Sequence, residues 1–139
     1  AGAGILVVCA ALARLVNTFR PRSTEAKTDD AHEKPLGREG GFALIVGDVS
    51  FISMTLILPQ LPALLAADGD LLLLIKPQFE VGPANIGKGG IVRDPALYAG
   101  VERKFFDLAQ NFRLTVKAWL NSPITGGDGN REFFIWLKK

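Results

Sequence analysis

Two residues in this sequence stand where an apolar run stops abruptly at a charge. Asp48 closes Phe42-Ala43-Leu44-Ile45-Val46-Gly47, and Lys76 follows Leu71-Leu72-Leu73-Leu74-Ile75. Buried parallel strands end this way where they reach a site, and in open α/β sheets ligands lie beyond the carboxyl ends of the strands. Between the two runs, residues 52–67 are apolar and of helical length, so the unit reads strand, helix, strand. Asp48 and Lys76 would then emerge side by side, an acid and an amine able to hold a polar ligand. Each has a plainer reading. An aspartate at a strand end often caps the next helix, and Glu132, which directly precedes the apolar run Phe133-Phe134-Ile135-Trp136-Leu137, is taken alone a surface hairpin residue. Lysine is almost never fully buried unpaired, so Lys76 behind an apolar run is harder to dismiss. Two strand ends and a facing hairpin, taken together, favour a shared site.

The elements that must position these residues follow from the pattern. Ile5-Leu6-Val7-Val8-Cys9 reads as a strand running into helix formers at 10–15. Gly2 and Gly4 precede that strand, whereas a cofactor loop follows one. Residues 21–41 have linker composition. A strand over 42–49, buried on both faces, leads into a helix over 52–67 that Ser50 or Ser53 caps, Pro59 and Pro62 bend, and Gly69 stops. The central strand is 70–75, after which Pro77 releases a loop containing Gly82, Gly87, Gly89 and Gly90. Asp94 and Pro95 open a helix over 96–111, with Leu97, Val101, Phe105 and Leu108 on its buried stripe. Strands over 113–120 and 131–137 close a hairpin across 121–130.

Composition narrows the function. At 48% hydrophobic and 22% charged, the 139 residues suit one globular domain with a real core. A net charge of +2 is too small to argue for a polyanion partner. One cysteine and one histidine leave no disulfide framework and little room for a metal centre, so a metal-free protein is expected. The apolar run from Ile5 through Val16 is interrupted by Arg14 and is shorter than the ~20 residues that span a bilayer. No basic residue precedes it as in a secretory signal, so the expectation is a cytoplasmic protein without a membrane partner.

Four motifs carry a resemblance. They are Asp48-Val49-Ser50-Phe51-Ile52-Ser53, Lys76-Pro77-Gln78-Phe79-Glu80, the stretch from Gly87 to Pro95, and the stretch from Ser122 to Phe133. In this order and at this approximate spacing they resemble the TlyA-type branch of the FtsJ-like RNA methyltransferases, from about Gly41 to the C-terminus. The resemblance implies an α/β fold: a Rossmann-like, S-adenosylmethionine-dependent methyltransferase sheet, mostly parallel, with a C-terminal antiparallel hairpin. It divides the chain into an atypical segment, 1–41, and the C-terminal part of a methyltransferase domain, 42–139, incomplete at its N-terminus.

The activity so implied is methyl transfer from S-adenosylmethionine to ribose 2′-hydroxyls of ribosomal RNA, through a Lys-Asp-Lys-Glu tetrad. Matched motif by motif, Asp48 takes the place of the Asp, Lys76 of the second Lys and Glu132 of the Glu, and Asp48 also faces the cofactor. The first Lys belongs upstream, and neither Lys27 nor Lys34 is assigned its role. A ribose hydroxyl is a poor nucleophile, so a base must take its proton as it attacks in line. An amine does this near neutral pH only if its pKa falls from ~10.4 toward ~7 to 8. Neighbouring carboxylates favour the ammonium form, and a sulfonium or a further lysine favours the neutral amine. Lys88 and Arg93 are candidate contacts to RNA phosphates, with surface charge as the plain alternative. Phe51 and Phe79 could stack a base, but beside apolar strands they read as core.

A second reading is a non-catalytic RNA- or protein-binding remnant that kept the sheet and lost the cofactor site. Membrane lysis, implied by the hemolysin label the family often bears, finds no spanning segment or basic amphipathic helix here. A cofactor cradle needs glycines after its first strand and an acid for the ribose, and Cys9-Ala10-Ala11 offers neither. The chain alone is therefore expected to bind S-adenosylmethionine weakly and to transfer little methyl. Titration calorimetry checks this, and micromolar binding would mean that the N-terminal segment builds a cradle after all.

Overall fold

Five strands form one sheet in the computed structural model, which describes residues 5–9, 40–127 and 129–139. They are β1 (Ile5–Cys9), β2 (Phe42–Asp48), β3 (Leu65–Ile75), β4 (Thr115–Asn121) and β5 (Phe133–Lys138), in the spatial order β1-β2-β3-β5-β4. β1, β2 and β3 are parallel, and β5 inserts antiparallel between β3 and β4. This is the mostly parallel sheet with a C-terminal antiparallel hairpin that the sequence led us to expect. The helix expected at 10–15 and nearly all of the 21–41 segment lie outside the described residues.

The buried core lies on one face of the sheet. Ile45, Leu71, Leu73, Ile75, Phe133, Ile135 and Leu137 are paired along the ladders and point to that face. Helix α1 (Leu97–Asn111) covers it with Val101, Phe105 and Ala109, and Met54, Ile57, Leu58 and Leu61 complete the cluster. β2 is thus not sealed on both faces: Ile45 and Gly47 are buried, while Leu44 and Val46 are only half-buried. Asp94 and Pro95 form the turn that leads into α1, with Asp94 Oδ1 accepting the Ala96 N–H at 2.8 Å, but the helix itself starts at Leu97 without a side-chain cap. Arg113 follows α1 in a left-handed conformation at φ 56, so β4 starts at Thr115 rather than at 113.

The crossover between β2 and β3 departs most from expectation. In place of a helix over 52–67 there are two 3₁₀ turns, Met54–Leu56 and Leu58–Ala63. Pro59 and Pro62 are the reason, because each lacks an N–H and clashes with the preceding turn of an α-helix. Short 3₁₀ pieces tolerate them while still burying Met54, Leu58 and Leu61. Gly69 does not stop a helix but lies within β3. There the pairing jumps from Phe42↔Leu65 to Leu44↔Asp70, and a Cβ at 69 would lie 2.8 Å from the Phe42 carbonyl.

Midway along β3, Asp70 accepts from Trp136 Nε1 at 2.7 Å and from Lys138 Nζ at 3.2 Å, both on β5. The Trp136 hydrogen bond above all, opposed by partial desolvation and aided by Lys138, holds the Asp70 carboxyl below its ordinary value of 3.8. A carboxyl depressed on folding contributes stability that is present above its unfolded pKa and lost as pH falls through the folded one. Asp70→Asn should therefore be less stable than the parent at neutral pH, with the gap closing below about pH 4. Urea unfolding of both proteins across that range checks this, and a constant gap would contradict it.

Candidate active site

Register brings Asp48 and Lys76 together. Asp48 lies opposite Leu74, and side chains alternate along a strand, so Lys76, two residues beyond Leu74, shares its face. Lys76 Nζ sits 2.7 Å from Asp48 Oδ1 and donates to Ser50 Oγ at 2.9 Å. The lysine side chain is 14% exposed and the aspartate 59%, so the amine is held inward and the acid faces outward. The 3₁₀ turn that follows β2 is capped by Ser53, whose Oγ accepts from Thr55 N, leaving Ser50 to Lys76.

The antiparallel ladder supplies the third group. Ile75↔Phe133 is the last pair of β3 with β5, and Lys76 and Glu132 are the next residues in that register. Glu132 is buried, its carbonyl accepting Ser122 N–H at 2.8 Å and its Oε1 accepting Gln78 Nε2 at 3.3 Å. A cavity of about 300 Å³ is lined by Lys76, Glu132, Ser50, Gln78, Gly90 and Gly127, with Phe51 and Phe79 also on its walls. Asp48 is not among the lining residues and meets the site through its ion pair with Lys76.

Phe51 corrects an expectation. It is not core but 91% exposed, in a left-handed conformation at φ 63, with its ring 5.3 Å from that of Phe79. The sharp turn leaving β2 aims it outward. Lys88 and Arg93 are both exposed on the glycine-rich loop, and neither lines the cavity. The loop is fastened instead by Asn130, which is 2% exposed. Asn130 Oδ1 accepts Val92 N–H at 3.0 Å, and its Nδ2 donates to the Gly90 carbonyl at 2.9 Å. Sequence reasoning passed over Asn130 and Gln78 and read Ser50 only as a cap. Asn130 follows three glycines and looked like a turn residue; the signal was an amide two residues before an acid at the start of an apolar strand.

Among the described residues, no group of three His, Cys, Asp or Glu could hold a metal. An exposed carboxylate ends β2 beside the end of β1, since Cys9 pairs with Asp48.

The family model described as FtsJ-like methyltransferase matches residues 11–139. This chain belongs to the FtsJ-like methyltransferase family. The match starts well before Gly41, where the recognisable motifs begin. Among curated relatives, the Bacillus subtilis protein YqxC, named as an rRNA methyltransferase, is 49% identical over 65% of this chain and 32% of its own length. The 16S/23S rRNA (cytidine-2′-O)-methyltransferase TlyA of Mycobacterium tuberculosis is 43% identical over 71% of this chain and 37% of its own length. The chain thus spans about a third of these relatives. A solved Lactococcus lactis protein described as a hemolysin superposes with a TM-score of 0.69 at 42% identity, covering 73% of this chain and 49% of that one. Family membership implies a methyl donor. Among the described residues, no helix is long and apolar enough to cross a membrane.

Gly126 tests how closely the hairpin is fitted to the site. A Cβ there would lie 2.6 Å from Glu132 Oε1 and 3.6 Å from Gln78 Nε2. Gly126→Ala should displace the Glu132 carboxylate and destabilise the fold by about 1–3 kcal/mol through overpacking. Urea unfolding measures this, and an unchanged midpoint would show that the hairpin yields freely.

Proposed function

We propose that this chain carries the base and its partners for methyl transfer from S-adenosylmethionine to a ribose 2′-hydroxyl of ribosomal RNA. One observation carries the reading. The Lys76 amine, held by Asp48 and Ser50, projects into a cavity whose wall includes Glu132. The rRNA methyltransferase names of the relatives support it, as does the exposed carboxylate at the β2 end.

In this reading Lys76 is the general base. S-adenosylmethionine, when bound, supplies an electrophilic methyl group on a sulfonium. With the amine neutral, Lys76 would take the 2′-hydroxyl proton as the ribose oxygen attacks the methyl carbon and a neutral thioether leaves, and Asp48 and Ser50 fix the direction of Nζ. Asp48 also faces the cofactor with its exposed side, where its charge complements a cationic donor. Glu132, buried beside the cavity, orients the hydroxyl. Lys88 and Arg93 contact RNA phosphates from the rim, fixing position rather than sequence. A ribosomal RNA substrate assigns the protein to the cytoplasm.

Single-turnover methylation of rRNA by the complete gene product tests the reading. Lys76→Ala should lower the rate by about 10²–10⁴-fold while leaving cofactor affinity nearly unchanged. A comparable loss of cofactor binding would make Lys76 a binding residue. A parent protein that neither binds the cofactor nor transfers methyl would favour the non-catalytic remnant.

A further inference from the structure

Glu80 is a buried carboxylate to which the reading above gives no role. Its side chain is 2% exposed, yet it follows Lys76 by only one 3₁₀ turn, Pro77–Phe79. A charge so enclosed persists only when its oxygens are matched by donors. Three converge on it. Ser53 Oγ donates to Oε2 at 2.6 Å, the Met54 N–H to Oε1 at 2.8 Å, and Lys104 Nζ to Oε2 at 3.1 Å. Lys104 comes from α1 and also donates to the Glu80 carbonyl at 3.0 Å.

The first two donors lie in the short segment that carries Ser50 and Phe51. Ser50 is the hydroxyl at 2.9 Å from Lys76 Nζ, and Phe51 holds a left-handed backbone that costs a non-glycine residue energy. Such a conformation survives only where its surroundings over-determine it. Glu80 fastens the far end of the turn at Ser53 and Met54, α1 braces Glu80 through Lys104, and Ser50 holds Lys76 at the near end.

We propose that Glu80 is a positioning residue for Lys76, acting through the 50–54 turn to keep Ser50 against the amine. The inference rests on Lys76 being the base. If Glu80 is released, the turn relaxes toward negative φ at Phe51 and Ser50 leaves Nζ. α1 thereby contributes Lys104 to the site's support.

The test is a double-mutant cycle in the complete gene product, read two ways. Glu80→Gln keeps shape but removes the charge and one acceptor, and Lys104→Gln removes only the outer brace, with the native fold of each variant checked by circular dichroism. Glu80→Gln should lower the single-turnover rate about tenfold, with the RNA concentration dependence nearly unchanged, and Lys104→Gln should do so more mildly. In a Ser50→Ala background, Glu80→Gln should add little further loss, because both act on one contact. A purely structural Glu80 would give losses that multiply, and that outcome overturns the proposal. The second reading needs no activity: the NMR resonance of the Lys76 side-chain nitrogen should shift in Glu80→Gln and move toward its position in Ser50→Ala. An unmoved resonance also overturns the proposal. A shifted resonance with no methylation in the parent upholds the coupling and discards the base assignment instead.

Discussion

Everything near the site depends on β3 being paired on both edges, parallel to β2 and antiparallel to β5. The parallel edge sets Asp48 beside Lys76, and the antiparallel edge sets Glu132 across from it. Neither arrangement survives a one-residue slip, because a slip turns every side chain to the opposite face. The buried row Leu71, Leu73 and Ile75 resists such a slip through its contacts with Ile45, Phe133, Ile135 and Leu137. Packing on one face therefore fixes the chemistry on the other.

The glycine-rich loop is tied to the same frame. Asn130 satisfies two backbone groups of the loop, at Gly90 and Val92, while its own carbonyl accepts the Gly126 N–H at 2.8 Å. A buried amide with partners on both sides specifies one arrangement of loop and hairpin. Phe133 meets Tyr98 of α1 edge-on and stacks on Trp119, with ring centroids 5.5 and 5.2 Å apart, so the hairpin is also held by aromatic packing against α1.

Much of this was legible in the sequence where one local rule decided the outcome. Apolar runs ending in Asp48 and Lys76 marked the ends of β2 and β3, and the spacing of Val101 and Phe105 marked α1. The crossover was not legible, because its apolar content fits a helix and only the pair Pro59 and Pro62 argues otherwise. Their effect on the backbone outweighed the length of the run. Phe51 was misread for a related reason: hydrophobicity predicts burial, whereas the strained turn after Ser50 directs the ring outward. Asn130 and Glu80 were invisible as supports, since their partners lie 38 and 26 residues away in the chain. No periodicity reports contacts of that range.

The position of β5 has a consequence for how the molecule is made. Of the described strands, the one latest in sequence, β5, is an inner strand of the sheet, lying between β3 and β4. During synthesis β2 and β3 can pair as soon as they emerge, but one edge of β3, lined by Leu71 to Ile75, has no neighbour until β5 is complete. A bare apolar edge is a template for pairing with other chains. The cavity likewise has no Glu132 wall until that moment. This edge is thus exposed early and closed only once residues 133–138 have been made, so a ribosome that stalls before residue 133 would release a sticky intermediate rather than a smaller version of the domain.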